Sequence, residues 1–148
     1  MNEERPTEEP PLSAAKKRIF VADRAGGYCE YCRVAELSQV GPYNIEHVFP
    51  ASLGGTSDVV NLAWSCPRCN GSKSDHTELP DPETGEMASV FNPRTMRWGD
   101  HFEWREFILV GRTPTGRAVV LAFQLNSAKR MHIRQMEARE GLFPPPSS

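Results

Sequence analysis

Short runs of apolar residues alternate with polar ones along this chain, which predicts several short elements. The first is a helix over residues 14–25, because Ser13 has a side chain suited to capping a helix N-terminus. Ile19, Phe20 and Val21 supply its predicted apolar side, and the glycine pair after residue 25 ends it. The basic residues of this helix are expected to face solvent: Lys16, Lys17, Arg18 and Arg24.

A strand, a loop, a second strand and a helix are predicted next. Residues 43–49 and 61–65 have the apolar content of short strands, and residues 50–59 form a glycine-containing loop between them. A helix is predicted to begin at Asn70 and to end at Pro80, because proline cannot continue a helix.

The second half of the chain predicts further strands, followed by two helices. These elements are a strand over residues 87–91, two strands within residues 94–111, and helices capped by Thr115 and Ser127. Two interpretations of the polar and aromatic residues of this half stay open. In the first interpretation, a hairpin packs against the core through Phe102, Trp104 and Phe107. In the second, basic side chains extend a nucleic-acid surface: Arg94, Arg97 and His101.

Composition indicates one globular domain, or one and a fraction, with a modest core, since the chain has 148 residues of which 39% are hydrophobic. Residues 1–12 are acidic and rich in proline, with a net charge of −3, which predicts a disordered tail. The remaining residues carry 16 basic and 15 acidic groups. Any contact with nucleic acid must therefore come from local arrangement rather than from bulk charge.

No apolar run is long enough to cross a membrane, and the acidic N-terminus is unlike a secretory signal. We therefore predict a cytoplasmic protein with no membrane partner.

The four cysteines form two Cys-x-x-Cys pairs, Cys29/Cys32 and Cys66/Cys69. Such a turn directs both thiolates at one centre, and two turns make a tetrahedral zinc site. Redox-active dithiols and unpaired core cysteines are the alternatives, and disulfides would require an oxidising compartment. The pairs lie further apart than in common zinc knuckles, so other residues are inserted between them.

Glu46 and His47 are neighbours in a predicted strand, so their side chains project to opposite sides. A neutral imidazole can take a proton from water near neutral pH. The carboxylate of Glu46 and the side-chain carbonyl of Asn70 are oxygen donors of the kind that Mg²⁺ prefers. A lone histidine is more often a surface or core residue, and these neighbours favour a chemical role.

This stretch resembles the ββα-metal motif of HNH endonucleases, whose usual form is Asp-His-x-x-Pro, Gly-Gly, Asn-Leu and Cys-x-x-Cys-Asn-x-x-Lys. The matching segments here are Glu46-His47-Val48-Phe49-Pro50, Gly54-Gly55, Asn61-Leu62 and Cys66-Pro67-Arg68-Cys69-Asn70-Gly71-Ser72-Lys73. The preceding cysteine pair is similar to the branch of the family that holds zinc, and the resemblance covers residues 16–76.

The resemblance implies a role for each matching residue. His47 corresponds to the general base, and Asn61 to the residue that holds the histidine loop by hydrogen bonds. Glu46, usually Asp in the family, and Asn70 correspond to the ligands of one catalytic Mg²⁺ or Mn²⁺. Some relatives have a third ligand four residues after Asn70, where this chain has Ser74.

The nucleic-acid contacts are less specific. Lys73 and Arg68 are placed to meet phosphates, with a solvated charge as the alternative for each, and Arg94 would extend that surface.

We therefore predict an α+β fold with a small ββα-metal (His-Me finger) core and a four-cysteine structural Zn²⁺ site. A helix precedes this core and a strand-plus-helix extension follows it. The predicted segments are a tail over 1–12, the nuclease core over 13–80, the extension over 81–143 and a loose tail over 144–148.

The predicted function is hydrolysis of DNA phosphodiester bonds by a metal-dependent endonuclease, leaving 5′-phosphate and 3′-hydroxyl ends. A possible homodimer would matter because a double-strand break needs two active sites or two visits. The alternatives are a non-catalytic zinc-knuckle module that binds nucleic acid and a purely structural or protein-interaction domain. The acidic residue beside His47 favours the enzyme, because without a metal it would repel phosphate.

Overall fold

The computed structural model describes residues 12–39 and 41–146, so the predicted tail over 1–12 lies outside the described residues except at Leu12. Within that part, six strands form three separate two-stranded antiparallel sheets. The helices are α1 (Ala14–Ala25), α2 (Pro67–Lys73), α3 (Trp98–His101), α4 (Pro114–Ala122) and α5 (Ala128–Arg139). The strands are β1 (Asn44–His47), β2 (Leu62–Ser65), β3 (Glu78–Pro80), β4 (Met87–Ser89), β5 (Phe102–Arg105) and β6 (Ile108–Gly111). The predicted α+β fold is confirmed.

Helix α1 has the predicted ends but not the predicted apolar side. The Ser13 hydroxyl accepts a hydrogen bond from the Lys16 amide at 3.2 Å, and the helix ends at a glycine with φ of 66°. Val21 is fully buried, whereas Ile19 and Phe20 are 62% and 44% exposed. Consecutive helical residues point in different directions, so three in a row cannot all face the core.

Strands β1 and β2 form the hairpin that carries the candidate chemistry. Glu46 pairs with Ala63 and His47 pairs with Leu62 across the hairpin. Side chains alternate along a strand, and accordingly Glu46 is buried while His47 is only partly so. Helix α1 packs against both strands.

Helix α2 begins three residues before the predicted start at Asn70. Cys66 is its N-cap and accepts a hydrogen bond through Sγ from the Cys69 amide at 3.4 Å. Pro67 takes the first helical position, where proline needs no amide hydrogen. The helix ends at Ser74, which has a φ of 47°, well before Pro80. Pro80 instead belongs to β3.

The loop between β1 and β2 contains two glycines with different constraints. Gly54 has a φ of 98°, and a side chain there would meet no atom within 4 Å. A Cβ on Gly55 would lie 1.9 Å from the Phe49 carbonyl oxygen. The Gly55 amide donates to the Pro50 carbonyl at 2.9 Å, so this close approach is part of the loop. Gly54 provides a backbone conformation, and Gly55 provides space.

Helix α4 is capped by Thr113 rather than by Thr115. The Thr113 hydroxyl accepts from the Gly116 amide at 3.1 Å, and Pro114 begins the helix. Thr115 is buried within the first turn. Helix α4 packs against β6 and β3. Helix α5 has the predicted cap, because the Ser127 hydroxyl accepts from the Arg130 amide at 3.3 Å.

An aromatic cluster joins the second half of the chain to the first cysteine turn. Trp98 stacks on Phe102 with ring centroids 5.0 Å apart, and Phe102 meets Phe91 edge-on. The Trp98 indole donates to the Tyr31 carbonyl at 2.9 Å. The hairpin of β5 and β6 therefore packs on the core, in agreement with the first interpretation of its aromatic residues.

Asp81 joins the turn between β3 and β4 to helix α4. Its carboxylate is buried and accepts two hydrogen bonds from Arg117, at 3.0 and 2.8 Å. The same carboxylate accepts from the Glu83 amide and the Thr84 hydroxyl within the turn. The hydrogen bonds from Arg117 are the main cause of a pKa of Asp81 well below its ordinary value.

Among the described residues, no helix has both the length and the apolar character needed to cross a membrane.

We expect Gly55→Ala to lower the free energy of unfolding by about 1–3 kcal/mol, because the new methyl group overlaps the Phe49 carbonyl. Gly71→Ala is the matched control, since an added Cβ at Gly71 meets no atom within 4 Å and the position has no positive φ, and it should not lower that energy. Urea unfolding followed by circular dichroism measures both. Equal midpoints for the two variants would show that the loop does not depend on the space at Gly55.

We expect Arg117→Met to destabilise the protein at neutral pH, with a difference from wild type that narrows as the pH is lowered from about 5 to about 2. The pKa of Asp81 is lowered in the folded state. Its ionised form therefore stabilises the fold above the ordinary aspartate pKa, and this contribution is lost as the pH falls towards the folded-state value. Thermal unfolding across this range is the measurement.

Arg105→Met is the control, because Arg105 pairs with Glu103 on an exposed surface where an ion pair contributes little. If Arg117→Met and Arg105→Met show the same pH dependence, the pair of Arg117 and Asp81 does not connect the turn to helix α4.

Candidate active site

Glu46 lies inside the protein with both carboxylate oxygens engaged. Oε1 is 2.6 Å from the Lys73 ammonium, and Oε2 accepts from the Tyr31 hydroxyl at 2.5 Å. Burial raises the pKa of Glu46, and the hydrogen bonds from Lys73 and Tyr31 oppose that rise. Burial and the neighbouring carboxylate also raise the pKa of Tyr31. The phenol therefore acts as the hydrogen-bond donor in this pair.

Lys73 is an internal cation and not a surface one, because only 1% of the residue is exposed. Besides its contact with Glu46, its ammonium donates to the His47 carbonyl at 3.1 Å. The sequence interpretation placed this charge against phosphate. In the structure the charge instead joins helix α2 to the two adjacent residues of β1.

His47 lies on the opposite side of β1 from Glu46 and is partly exposed. Its Nε2 is 3.0 Å from the Ser57 hydroxyl, which belongs to the loop between β1 and β2. Ser57 in turn accepts a hydrogen bond through its carbonyl from the Lys17 ammonium of α1, at 2.7 Å. The imidazole is thus held at Nε2.

Asn61 fastens the loop that follows His47. Its side-chain carbonyl accepts from the Phe49 amide at 2.8 Å, and its amide donates to the carbonyls of Phe49 and Thr56 at 3.0 and 2.8 Å. The Asn61 backbone carbonyl also accepts from the Val48 amide at 2.9 Å. These four hydrogen bonds join both ends of the loop, and they leave the amide side chain no free donor.

Basic residues of α1 support the same loop from outside. The Arg24 guanidinium donates to the carbonyls of Val59 and Leu62 at 2.9 and 2.6 Å. Arg18 donates to the Tyr43 carbonyl just before β1 at 2.7 Å. The sequence predicted that these side chains face only solvent. The prediction missed the backbone carbonyls that accept from these side chains, because a sequence does not show which carbonyl lies near a given side chain.

One cavity of about 270 Å³ is lined by Glu46, His47 and Asn70, but not by Asn61. The residues that line it are Ile45, Glu46, His47, Pro50, Ala51, Ser52, Asn70, Ser74 and Asp75. Glu46 and His47 reach it from β1, and Asn70 reaches it from α2. Asp75 is an exposed carboxylate on its rim that the sequence interpretation passed over. The residues around this cavity therefore include one histidine and several residues with side-chain oxygen atoms.

The four cysteines form one buried cluster. Their sulfur atoms all lie within 4.8 Å of one another, and those of Cys32 and Cys66 are 3.8 Å apart. Tetrahedral zinc with Zn–S bonds of about 2.3 Å separates its sulfur ligands by about 3.8 Å. Within the described part of the chain this is the one group of three or more His, Cys, Asp or Glu side chains that could hold a metal ion. The cluster fits a closed four-thiolate site.

The thiols of this cluster differ in their acidity. Burial raises the pKa of Cys29 and of Cys69 well above the usual value. Hydrogen bonds from the other three cysteines lower the pKa of Cys66. A divalent ion would favour the ionised form of all four, because thiolates and not thiols are the ligands.

The remaining predicted contacts with nucleic acid differ in their exposure. Arg68 is exposed on α2. Arg94 is largely buried and forms an ion pair with Glu30 of the first cysteine turn. His101 contacts the Thr113 hydroxyl through Nδ1 at 2.6 Å, and Arg97 is exposed. Arg94 and His101 therefore have partners within the protein, whereas Arg68 and Arg97 face solvent.

A model of the HNH endonuclease family matches residues 29–80. The Septu protein PtuB of Bacillus thuringiensis is 30% identical over 106 residues, which are 70% of this chain and 37% of that protein. This chain therefore spans little more than a third of the length of that relative. No solved structure matches the chain significantly.

The matched segment begins at Cys29 and includes the second cysteine pair, Glu46, His47, Asn61 and Asn70. Residues 29–80 of this chain are therefore similar to the HNH endonuclease family.

Proposed function

We propose that this protein is a metal-dependent endonuclease that hydrolyses DNA phosphodiester bonds and leaves 5′-phosphate and 3′-hydroxyl ends. The single observation that supports this most is the cavity that His47, Glu46 and Asn70 line together. It joins a group that can move a proton to groups that can hold a hard cation.

His47 is the proposed general base. The Ser57 hydroxyl contacts Nε2, so Nδ1 takes the proton from the attacking water molecule. Four hydrogen bonds of Asn61 hold the loop in place, and the Lys17 ammonium holds the Ser57 carbonyl. The imidazole is thus oriented before substrate arrives, which reduces the entropic cost of reaching the reactive geometry.

Glu46 and Asn70 are the proposed ligands of Mg²⁺ or Mn²⁺. Both Glu46 oxygens already accept one hydrogen bond, but a carboxylate oxygen has a second lone pair and can accept more. The donor set therefore fits a hard divalent cation. Such an ion supplies charge neutralisation at the phosphate and assistance to the leaving oxygen. Lys73 acts as the internal counter-charge that opposes the rise in the pKa of Glu46 caused by burial.

The four cysteines are the proposed ligands of a structural Zn²⁺ ion. Four thiolates close its coordination shell and leave no position for a reacting water molecule. The ion would join the turn before β1 to the start of α2, and so fix the hairpin and the helix that line the cavity.

Arg68 is the proposed phosphate contact on α2, because it is an exposed cation on the helix that also carries Asn70. We do not assign that role to Lys73 or Arg94, since both are paired with buried carboxylates. The cytoplasmic location and the homodimer stay predictions.

A second candidate function is a non-catalytic zinc-knuckle module that binds nucleic acid. The observation that favours it is the engagement of Glu46 by Lys73 and Tyr31, which neutralises this carboxylate without any metal ion. The orientation of His47 by Ser57 favours the enzyme, because a binding module has no need of a held imidazole.

We expect His47→Ala to reduce cleavage of plasmid DNA by about 100-fold or more, because general-base catalysis contributes at least that much. Cleavage is measured on gels with Mg²⁺ or Mn²⁺, and EDTA should abolish it in the wild type. His132→Ala is the control, since His132 is an exposed histidine of α5 outside the cavity.

Wild-type cleavage by His47→Ala would reject His47 as the base. A wild-type protein that binds DNA but does not cut it with either ion would favour the second candidate function.

We expect one zinc ion per chain in the purified protein, and loss of both zinc and folded structure in Cys66→Ser. Without the metal ion the two cysteine turns lose their cross-link, whereas a serine at position 66 can still cap α2. Elemental analysis gives the zinc content and circular dichroism gives the folded fraction. A soluble, fully folded Cys66→Ser protein without zinc would contradict the structural role.

A further inference from the structure

Helix α5 presents a buried polar face to the cysteine cluster. Arg130, Arg134 and Glu137 are 3%, 1% and 3% exposed. Their spacing of four and three residues places them on one side of the helix. These three charged side chains therefore face the interior of the protein and not solvent.

Arg130 reaches a ligand of the cluster directly. Its guanidinium nitrogen is 3.6 Å from Cys69 Sγ, and both residues are buried. Among the described residues Arg130 forms no ion pair with a carboxylate. An ionised side chain is costly to bury without an opposite charge, so the sulfur atoms are the groups that compensate it.

Other contacts fix the position of α5 on both cysteine turns. One Glu137 oxygen accepts from the Ala35 amide and from the Ser38 hydroxyl, each at 3.0 Å, just after the first turn. The Arg134 guanidinium donates to the Phe107 carbonyl at 2.8 Å and lies 4.9 Å from the Trp104 ring. Arg130 is thus held at the second turn by a helix that is anchored at its other end.

The contact between Arg130 and Cys69 places a positive charge beside the negatively charged thiolates. Four thiolates around one divalent ion carry a net charge of −2, and burial makes that charge costly. A guanidinium that donates to one of the sulfurs offsets part of this charge. Groups that hydrogen-bond to metal ligands commonly change metal affinity by about 10–100-fold when they are removed.

We propose that Arg130 is a positioning residue of the four-cysteine metal site: its guanidinium donates to Cys69 Sγ and holds the metal by offsetting the charge of the thiolates. The C-terminal extension then contributes to the metal site of the nuclease core. This proposal rests on the zinc site proposed above and is independent of nuclease activity.

The test compares Arg130→Met with Lys129→Met in the full chain. Both variants remove one positive charge from neighbouring positions of α5, but Lys129 is exposed and does not reach the cluster. We expect Arg130→Met to lose zinc to a colorimetric chelator about 10-fold faster or more, and Lys129→Met to lose it at the wild-type rate. Arg130→Lys, which keeps the charge, should be intermediate.

Cobalt provides a readout that a general loss of packing would not give. The protein reconstituted with Co²⁺ has sulfur-to-cobalt charge-transfer absorption, which reports the electron density on the thiolates. Loss of the hydrogen bond in Arg130→Met should move this absorption to longer wavelength, whereas Lys129→Met should leave it unchanged.

Wild-type zinc retention by Arg130→Met would overturn the proposal. Faster zinc loss with an unmoved cobalt spectrum would also overturn it, because the effect would then come from packing alone. If Arg130→Met does not fold, Arg130→Gln is judged by the same two measurements. A wild-type protein that binds neither Zn²⁺ nor Co²⁺ refutes the zinc site itself, and with it this role of Arg130, whatever the result of the nuclease assay.

Discussion

Four cysteine thiols, brought from two turns of the chain into one buried space, are the contact on which the rest of this structure depends. The first turn carries Tyr31, whose hydroxyl reaches Glu46, and Glu30, which pairs with Arg94. The second turn is the N-terminus of α2, which carries Asn70 and Lys73. Separation of the two turns would therefore displace both the candidate metal ligands and the ion pair beneath them. With three separate two-stranded sheets, no continuous sheet in the described residues holds these parts together instead.

A buried polar group consists of Glu46, Lys73 and Tyr31. It contributes more to fixing the relative positions of β1, α2 and the first cysteine turn than to the free energy of unfolding. Removing an ion pair from water is costly, and a buried pair contributes little net stability compared with apolar side chains of similar size. Each member of this group does, however, have a defined partner, so the geometry has few alternatives. The two strands and the helix of the motif meet at these contacts. A site that needs its donors in fixed positions benefits from such definition.

The sequence was sufficient for features that depend on neighbouring residues. Ser13 and Ser127 cap the predicted helices, and the cysteine spacing indicated one cluster. Local ambiguity explains several errors: Pro114 makes Thr113 the cap instead of Thr115, and the second cysteine turn is itself the start of α2. Long-range pairing explains the others. Lys73 and Arg94 are positively charged, as residues that contact phosphate usually are. Their carboxylate partners, however, lie 27 and 64 residues away in the sequence. A sequence shows the sign of a charge and not its partner.

The length of the side chain at position 46 has a consequence for how this site can change. The family usually has aspartate there, and glutamate is longer by one methylene group. That extra length lets the carboxylate of a buried strand residue reach Tyr31 on one side and Lys73 on the other. An aspartate grafted onto the same backbone would fall short of at least one of them and leave a buried donor unsatisfied. The contacts of Glu46 with Tyr31 and Lys73 therefore depend on the length of the side chain at position 46.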